Sequence, residues 1–205
     1  MELALGRYTW LSPWARVCAL RALDVSSPAA IEVLRRAAKD PDPLVAETAA
    51  AGLGTAAGEA ASGFPARYLT IDKVVMLRKV SLFEAIPHEV LAGIAALLTE
   101  RWAEPGERII EKGELGDCLY IIESGRLRVH DDDRTLAHLS KPQFFGELSL
   151  LDAEPRSASV TAVERSRLFR LAQADFYSLL SERQDITHAI NRALCQMVRK
   201  ANASG

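Results

Sequence analysis

Two kinds of hydrophobic periodicity divide the chain near Arg101. Before it, apolar residues recur at the three- and four-residue spacing of amphipathic helices; after it, they alternate with polar residues as in half-buried strands. Short strands with Gly, Pro, Asp and Ser clusters about ten residues apart are typical of an antiparallel jelly roll or barrel. We therefore expect an α+β protein, in which an antiparallel β jelly-roll or barrel with flanking helices follows an N-terminal, α-solenoid-like helical segment.

The alternation places the strands at short intervals. The predicted strands cover 108–110, 118–122, 127–129, 136–139 and 156–162. A helix over Ile71–Lys79, capped by Thr70, and another opened by Pro87 precede them. Two helices follow: the first carries Phe176, and the second has an apolar stripe from Ile186 to Met197.

The N-terminal helices resemble one unit of a HEAT repeat. The pattern predicts helices over Ala30–Ala38 and Leu44–Leu53, separated by the Asp/Pro turn 40–43 and closed by Gly54 as a C-terminal cap. One such unit cannot bury its own apolar face, so we expect a longer parent chain. The predicted division is a helical repeat fragment over 1–54, a linker over 55–70 and the β domain with its helices over 71–205.

Composition and charge argue against a nucleic-acid-binding protein, a membrane-spanning protein and a cysteine-ligated metal site. The net charge of −2 argues against direct contact with nucleic acid, and the basic cluster Arg165–Arg167 is interpreted as solvated surface. The chain has no apolar run long enough to span a bilayer, and its three cysteines have no metal-type spacing. A cytoplasmic location is expected, with tethering to the inner membrane through an upstream part of the parent chain as a further expectation.

The sequence contains no motif typical of a catalytic or metal-binding site. The run Asp131–Asp133 is interpreted as a solvated hairpin turn, because consecutive strand residues alternate faces. The four histidines lack metal-ligand spacing, and no phosphate loop or nucleophile elbow is present. The chain is therefore not expected to be an enzyme or to hold a metal.

The segment from Phe144 to Arg156 has the residues of a candidate binding site for a phosphate group. Residues 144–151 predict a short helical turn entered through Gly146, and Arg156 follows after Pro155 on the next strand. Glycine permits close backbone approach, helix-start amides favour an anion, and the forked guanidinium suits phosphate oxygens. Glu147 would repel a phosphate but can accept a hydrogen bond from a sugar hydroxyl. A nucleoside monophosphate satisfies all these groups.

The stretch Val80–Lys200 resembles a cyclic nucleotide-binding domain of the type found in catabolite activators, cyclic-nucleotide-dependent kinases and gated channels. Pro105–Glu107, Gly113–Asp117, Tyr120 and Gly125 match its barrel signature, and 145–160 matches its phosphate-binding cassette. The resemblance implies a ligand site formed by Phe145, Gly146, Glu147, Leu148, Ser149, Arg156, Ser157 and Ala158.

The resemblance also implies roles within this site. Glu147 would accept the ribose 2′-hydroxyl, and Arg156, the Ser157 hydroxyl and the backbone around Gly146, Leu148, Ser149 and Ala158 would hold the cyclic phosphate. Ser at position 157 favours cAMP over cGMP as the ligand. The base would be covered by the C-terminal helix through Leu194, Met197 and Val198.

The function implied is that of a sensor. Closure of the C-terminal helix over cAMP would be transmitted to a partner domain, expected upstream in the same polypeptide, for which a membrane transporter is one candidate. Two alternatives stay open: a protein-interaction scaffold with an inert barrel, and a DNA-binding regulator whose helix-turn-helix lies outside this chain. Pairing of two protomers through the stripe Ile186–Met197 is a further expectation.

Overall fold

The computed structural model describes residues 11–56, 68–84, 86–151, 155–182 and 187–188. The chain divides into two compact units, one ending at Val75 and the other beginning at Met76. The central part of the predicted linker, 57–67, and nearly all of the predicted last helix fall outside the described residues. Within the described ranges, no helix combines the length and the apolar character needed to cross a bilayer.

Three helices build most of the first unit: α1 (Pro13–Arg21), α2 (Pro28–Ala37) and α3 (Pro43–Ala56). A proline begins each one, where its missing N–H costs nothing. The apolar residues of the unit form one cluster. Its buried members are Val17, Leu20, Leu34, Ala37, Val45, Ala49 and Ile71. The helices thus exist where the sequence predicts them, whereas their assignment to a HEAT repeat stays a prediction.

The end of α3 differs from the prediction. Gly54 lies inside the helix, which continues to Ala56, and so it does not act as a C-terminal cap. Each glycine in a helix costs about 1 kcal/mol relative to alanine, but alanine is the best helix former and surrounds the glycines here. The next helix, α4 (Thr70–Leu77), begins at the residue predicted to be its cap and ends two residues before the predicted Lys79.

The second unit contains two four-stranded antiparallel sheets with flanking helices. Their elements are α5 (His88–Leu97), β1 (Thr99–Ala103), β2 (Arg108–Ile110), β3 (Cys118–Ser124), β4 (Arg126–Asp131), β5 (Arg134–Ser140), β6 (Phe144–Phe145), α6 (Leu148–Leu151), β7 (Ser159–Ala162), β8 (Ser166–Ala172) and α7 (Gln173–Glu182). The strand orders are β1-β8-β3-β6 and β2-β7-β4-β5.

The core of this unit lies between the two sheets. One sheet contributes Ala103, Cys118, Tyr120, Ile122, Phe145 and Leu168, and the other contributes Ile110, Leu127, Val160 and Ala162. On β3 these residues alternate with Leu119 and Ile121, which are fully buried on the opposite face. Strand β3 therefore has no exposed side before its last residue, and its sequence is nearly continuously apolar.

Strand β8 was missed by the sequence reasoning, and the interpretation of Arg165–Arg167 as solvated surface was wrong for two of its three residues. Ser166 is fully buried and Arg167 is 4% exposed. The Arg167 guanidinium pairs with the Glu100 carboxylate and lies 5.3 Å from the centre of the Trp102 ring. Arg165 is exposed but covers the same ring, at 4.5 Å. These contacts allow a charged residue to occupy a central strand.

The β4–β5 hairpin confirms the predicted turn at Asp131–Asp133. Asp131 pairs with Arg134 across the end of the hairpin, and Asp132 adopts φ 47°, a left-handed conformation that aspartate tolerates better than most residues. The Asp131 carboxylate forms an ion pair with Lys112, with Nζ and Oδ1 2.6 Å apart.

Gly125, in the tight turn between β3 and β4, is expected to be intolerant of a side chain. Its φ is +93°, and an added Cβ would lie 2.6 Å from Ser166 Cα, which belongs to a central strand and cannot move aside. Gly125→Ala should lower the free energy of unfolding by about 2–4 kcal/mol, the sum of left-handed strain and overpacking. Urea denaturation followed by circular dichroism measures the difference.

Gly106→Ala is the matched control. Gly106 has a similar φ of +85°, but nothing lies within 4 Å of an added Cβ. Only the conformational cost of about 1–2 kcal/mol should therefore appear. Equal losses for the two variants would contradict the assignment of Gly125 to a sterically closed turn.

Candidate functional site

The candidate site forms around Arg156, which the backbone fixes before its side chain is considered. The Arg156 amide donates to the Glu114 carbonyl at 2.8 Å, and the Gly113 amide donates to the Arg156 carbonyl at 2.9 Å. The preceding Pro155 forms an isolated bridge with Leu115. Arg156 was predicted on a strand, but β7 begins only at Ser159, so Arg156 lies in the segment before it.

The side chain of Arg156 turns inward and is only 8% exposed. Its Nη1 donates to the Gly146 carbonyl at 3.1 Å, and its Nη2 donates to the Cys118 carbonyl at 2.8 Å. The Cys118 sulfur lies 3.6 Å from the same Nη2. The guanidinium thus lies between the start of β3 and the residue that follows β6, held by two backbone carbonyl groups.

Two glycines make room for this guanidinium. Gly146 has φ +79°, and a Cβ there would contact Arg156 Nη1 and lie 3.1 Å from the Cys118 carbonyl oxygen. A Cβ at Gly116 would collide with the Arg156 guanidinium and also with the Ser149 hydroxyl. Both positions therefore require glycine because the polar groups of the site occupy the space of a side chain.

The helical turn predicted after Gly146 is present but shorter than expected. Phe144 and Phe145 form strand β6 paired with β3, and α6 contains only Leu148–Leu151. A helix this short leaves its carbonyl groups without partners in the helix itself. The Ser149 carbonyl accepts a hydrogen bond of 2.9 Å from Gln173 Nε2, at the start of α7. Gln173 also donates its backbone N–H to the Asp117 carbonyl, at 2.7 Å.

The structure brings together most of the residues that the motif predicts. Phe145 is buried and stacks on Tyr120 with ring centroids 5.2 Å apart, so its side chain belongs to the core. Glu147 and Ala158 are half-buried, whereas Leu148 and Ser157 are exposed. The predicted base-covering residues, Leu194, Met197 and Val198, lie outside the described residues.

Charged neighbours of the site pair with one another. Asp117 lies one residue before Cys118, and its carboxylate accepts a hydrogen bond from Arg170 Nη2 at 2.9 Å. Burial acts to raise the pKa of the Asp117 carboxyl, but hydrogen bonding with Cys118 and the charge of Arg170 outweigh it, so the pKa lies below its usual value. Asp117 is therefore ionised at neutral pH, with Arg170 as its partner.

A second network lies deeper, along β3. Arg101 donates from Nη1 to the Tyr120 hydroxyl and from Nη2 to Glu107, each at 2.9 Å. Burial raises the pKa of the Tyr120 phenol, and Cys118 adds to this rise while Arg101 opposes it. Tyr120 is thus a neutral hydroxyl that orders Arg101. The Glu107 carboxylate pairs with this arginine and also accepts a hydrogen bond from the Glu104 amide, at 3.0 Å.

Three groups at the site were not identified from the sequence as functional. They are Gly116, the carbonyl of Cys118 and the amide side chain of Gln173. Gly116 stood within a matched signature but without a role, because its crowding by Ser149 and Arg156 exists only after three distant segments meet. A backbone carbonyl leaves no trace in a sequence at all. The arrangement can bind an anion, and no nucleophile activated by a base is found among the described residues.

Comparison with known proteins shows what the second unit of the chain resembles. The family model described as "Cyclic nucleotide-binding domain" matches residues 100–183. The cyclic AMP receptor protein of Thermus thermophilus is 32% identical over 126 residues, which is 59% of this chain and 58% of the relative.

Two solved structures are similar in fold as well as in sequence. The N-terminal domain of a transcriptional regulator from Streptomyces coelicolor A3(2) is 31% identical, with a TM-score of 0.57, over 63% of this chain and 94% of that domain. The regulatory domain of Toxoplasma gondii PKA, crystallised with cAMP, is 30% identical with a TM-score of 0.50, over 54% of this chain and 44% of that one.

The match covers less than two thirds of the Thermus and Toxoplasma relatives, so it concerns a domain and not a whole protein. It spans every strand of the second unit and the whole site around Arg156. Residues 100–183 thus match the cyclic nucleotide-binding domain family, and they are homologous to parts of the cyclic AMP receptor protein of Thermus thermophilus and of the regulatory domain of Toxoplasma gondii PKA.

Proposed function

We propose that the chain is a cAMP sensor, in which ligand bound at Arg156 changes the position of the C-terminal helix and thereby acts on a partner domain. The observation that carries the proposal is the Arg156 guanidinium, which is buried yet makes its described hydrogen bonds only to uncharged acceptors. A buried cation without an anion is under-stabilised, so a phosphate diester gains a strong charge-assisted contact there.

The phosphate of the ligand lies beside Arg156, whose guanidinium the backbone approaches closely at Gly116 and Gly146. The guanidinium presents a fork of N–H donors that matches two phosphate oxygens. The Ser157 hydroxyl, exposed next to Arg156, and the amides near Ala158 supply further donors. A cyclic phosphate carries one negative charge, which a single arginine balances.

The ribose lies against Glu147. This carboxylate is half-buried one residue after Gly146, on the other side of that glycine from the buried Phe145. Its negative charge disfavours the phosphate and favours a hydroxyl donor, for which the ribose 2′-hydroxyl is the natural partner. This contact distinguishes a ribonucleotide from a deoxyribonucleotide.

The base lies where apolar side chains are only half covered. Ile109, Val129 and Leu139 pack against the core between the sheets but keep part of their surface exposed. A purine would cover such a surface, with Leu194, Met197 and Val198 of the last helix closing over it. Ser157 favours cAMP over cGMP, in line with the resemblance from which this selectivity is inferred.

The domain acts by binding and not by catalysis. We expect cAMP incubated with the protein to be recovered unchanged, and the appearance of AMP would contradict this part of the proposal. A ligand shifts a two-state equilibrium only through its differential affinity for the two states, so the helix closed over the base is the element a partner can detect. The partner is proposed to be another domain of the same polypeptide, and the likeness to part of a transcriptional regulator supports a DNA-binding domain as one alternative.

Calorimetric titration of nucleotide-free protein tests the proposal directly. We expect saturable binding of cAMP, tighter than that of cGMP. Arg156→Ala should weaken cAMP binding by about 10- to 150-fold, since a hydrogen bond to a charged group contributes about 1.5–3 kcal/mol. Arg156→Lys keeps the charge but loses the forked set of donors, so its affinity for cAMP should lie between those of the unmodified protein and Arg156→Ala.

The matched control is Arg126→Ala, which removes an exposed arginine whose nearest carboxylate, Glu164, lies 3.9 Å away. This variant should bind cAMP as the unmodified protein does. Thermal denaturation of every variant shows whether it is folded. Absence of heat with either nucleotide, from folded protein freed of ligand, would overturn the proposed function.

A thermodynamic cycle tests the role of Glu147. With unmodified protein, 2′-deoxy-cAMP should bind about tenfold or more weakly than cAMP, because one hydrogen bond to a charged acceptor is lost. With Glu147→Ala the two ligands should bind within about twofold of each other, because the carboxylate that distinguishes them is gone. If the unmodified protein did not discriminate between them, Glu147 would not be the ribose ligand.

A further inference from the structure

Ser149 has a hydroxyl group in an unusual position for a surface helix. The residue is only 2% exposed, although its neighbour Leu148 in the same short helix is 57% exposed. Its carbonyl oxygen is occupied by Gln173, whereas none of the hydrogen bonds found among the described residues uses its hydroxyl. In the described part of the chain this hydroxyl is not one of the buried polar atoms that lack a partner, so solvent reaches the oxygen and a ligand can bind it.

The distances from Gly116 show where this hydroxyl lies. A side chain at Gly116 would meet the Ser149 oxygen on one side and the Arg156 Cζ and Nε atoms on the other. Both polar groups therefore approach the same point on the backbone of residue 116. The hydroxyl belongs to α6 and the guanidinium to the segment before β7, and the fold brings them together.

Gln173 holds the backbone of Ser149 in place. Its side-chain amide fixes the Ser149 carbonyl, and its own backbone N–H is fixed by the Asp117 carbonyl, next to Gly116. The carbonyl of Ser149 and the backbone beside Gly116 are thus tied to one residue. The backbone that carries the hydroxyl is therefore preorganised, which reduces the ordering cost when a ligand binds.

We propose that the Ser149 side chain is a phosphate ligand in its own right, and that its hydroxyl donates to one of the two exocyclic oxygens of the cyclic phosphate. The proposal rests on the proposed function and adds to it a hydroxyl contact specific to one oxygen. The two exocyclic oxygens point in different directions from phosphorus, so a donor fixed beside Arg156 reaches one of them. Ser149 is then a specificity residue that distinguishes the two faces of the phosphate.

Phosphorothioate analogues of cAMP identify the contacted oxygen. In each of the two diastereomers a different exocyclic oxygen is replaced by sulfur, a weaker and longer hydrogen-bond acceptor. The experiment measures the affinities of cAMP and both diastereomers for the unmodified protein, Ser149→Ala and Ser149→Cys by calorimetry. Ser149→Cys retains the shape of the side chain and has only a weak S–H donor.

We expect Ser149→Ala and Ser149→Cys to weaken cAMP binding by about tenfold, the effect of one hydrogen bond to a charged acceptor. The same loss should appear for the diastereomer that keeps the contacted oxygen. For the other diastereomer the contact is already weakened by sulfur, so the substitutions should change its affinity by about twofold or less. A residue with a purely structural role would not separate the diastereomers.

Ser178→Ala serves as the control, because Ser178 is exposed on α7 and its hydroxyl contacts only Glu182 among the described residues. This variant should bind all three ligands as the unmodified protein does. Equal losses for all three ligands in Ser149→Ala, or no loss for any, would overturn the inference while cAMP binding itself stands. Failure of the unmodified protein to bind any of the three would instead overturn the proposed function, and the inference with it.

Discussion

The buried charge of Arg156 is the constraint on which the site depends. A guanidinium that is 92% removed from solvent loses most of its hydration, and the fold compensates with the carbonyl dipoles of Gly146 and Cys118 at 3.1 and 2.8 Å. Dipoles offset only part of the cost of burying a charge. The fold therefore keeps the arginine in place and leaves it with a strong preference for an anion.

Two acidic side chains of the second unit are engaged with other arginines. Asp117 is one residue from Cys118, yet its carboxylate is paired with Arg170 on the adjacent strand β8. Glu107 is likewise paired with Arg101. A carboxylate bound to Arg156 would compete with any phosphate, and the described ion pairs of these two carboxylates do not include Arg156. Their own contribution to stability is small, since both are partly exposed.

Sequence reasoning succeeded where the structure depends on local chemistry. The turn at Asp131–Asp133 and the short helix after Gly146 each depend on a few adjacent residues with strong conformational preferences. Strand β8 was missed for the opposite reason. It is buried on both faces, so it has no alternation, and Arg167 within it suggests a surface until the partners Glu100 and Trp102 are known.

The difference between local chemistry and long-range packing also explains which residues of the candidate site could be predicted from the sequence. Arg156 was identified because its chemistry is visible in its own side chain. Gly116 and Gln173 act through space that other segments occupy, and these segments are 33 to 57 residues apart in the chain by their numbering, from Gly116 to Ser149 and to Gln173. No local pattern encodes such a meeting. It follows from the packing of β3 beside β8 and β6, which brings Gly116, Gln173 and Gly146 to the same end of one sheet.

Placement at the end of that sheet also connects the phosphate site to the helix that follows it. The first residue of α7 bonds to the Ser149 carbonyl on one side and to the Asp117 carbonyl on the other. One turn later, Phe176 anchors α7 in the core at 2% exposure. A shift of α6 by 1 Å directly away from Gln173 would stretch the 2.9 Å bond beyond hydrogen-bonding distance, so the Gln173 side chain must follow α6 to keep this contact. The binding site and α7 thus share a single polar junction, whose geometry both must satisfy.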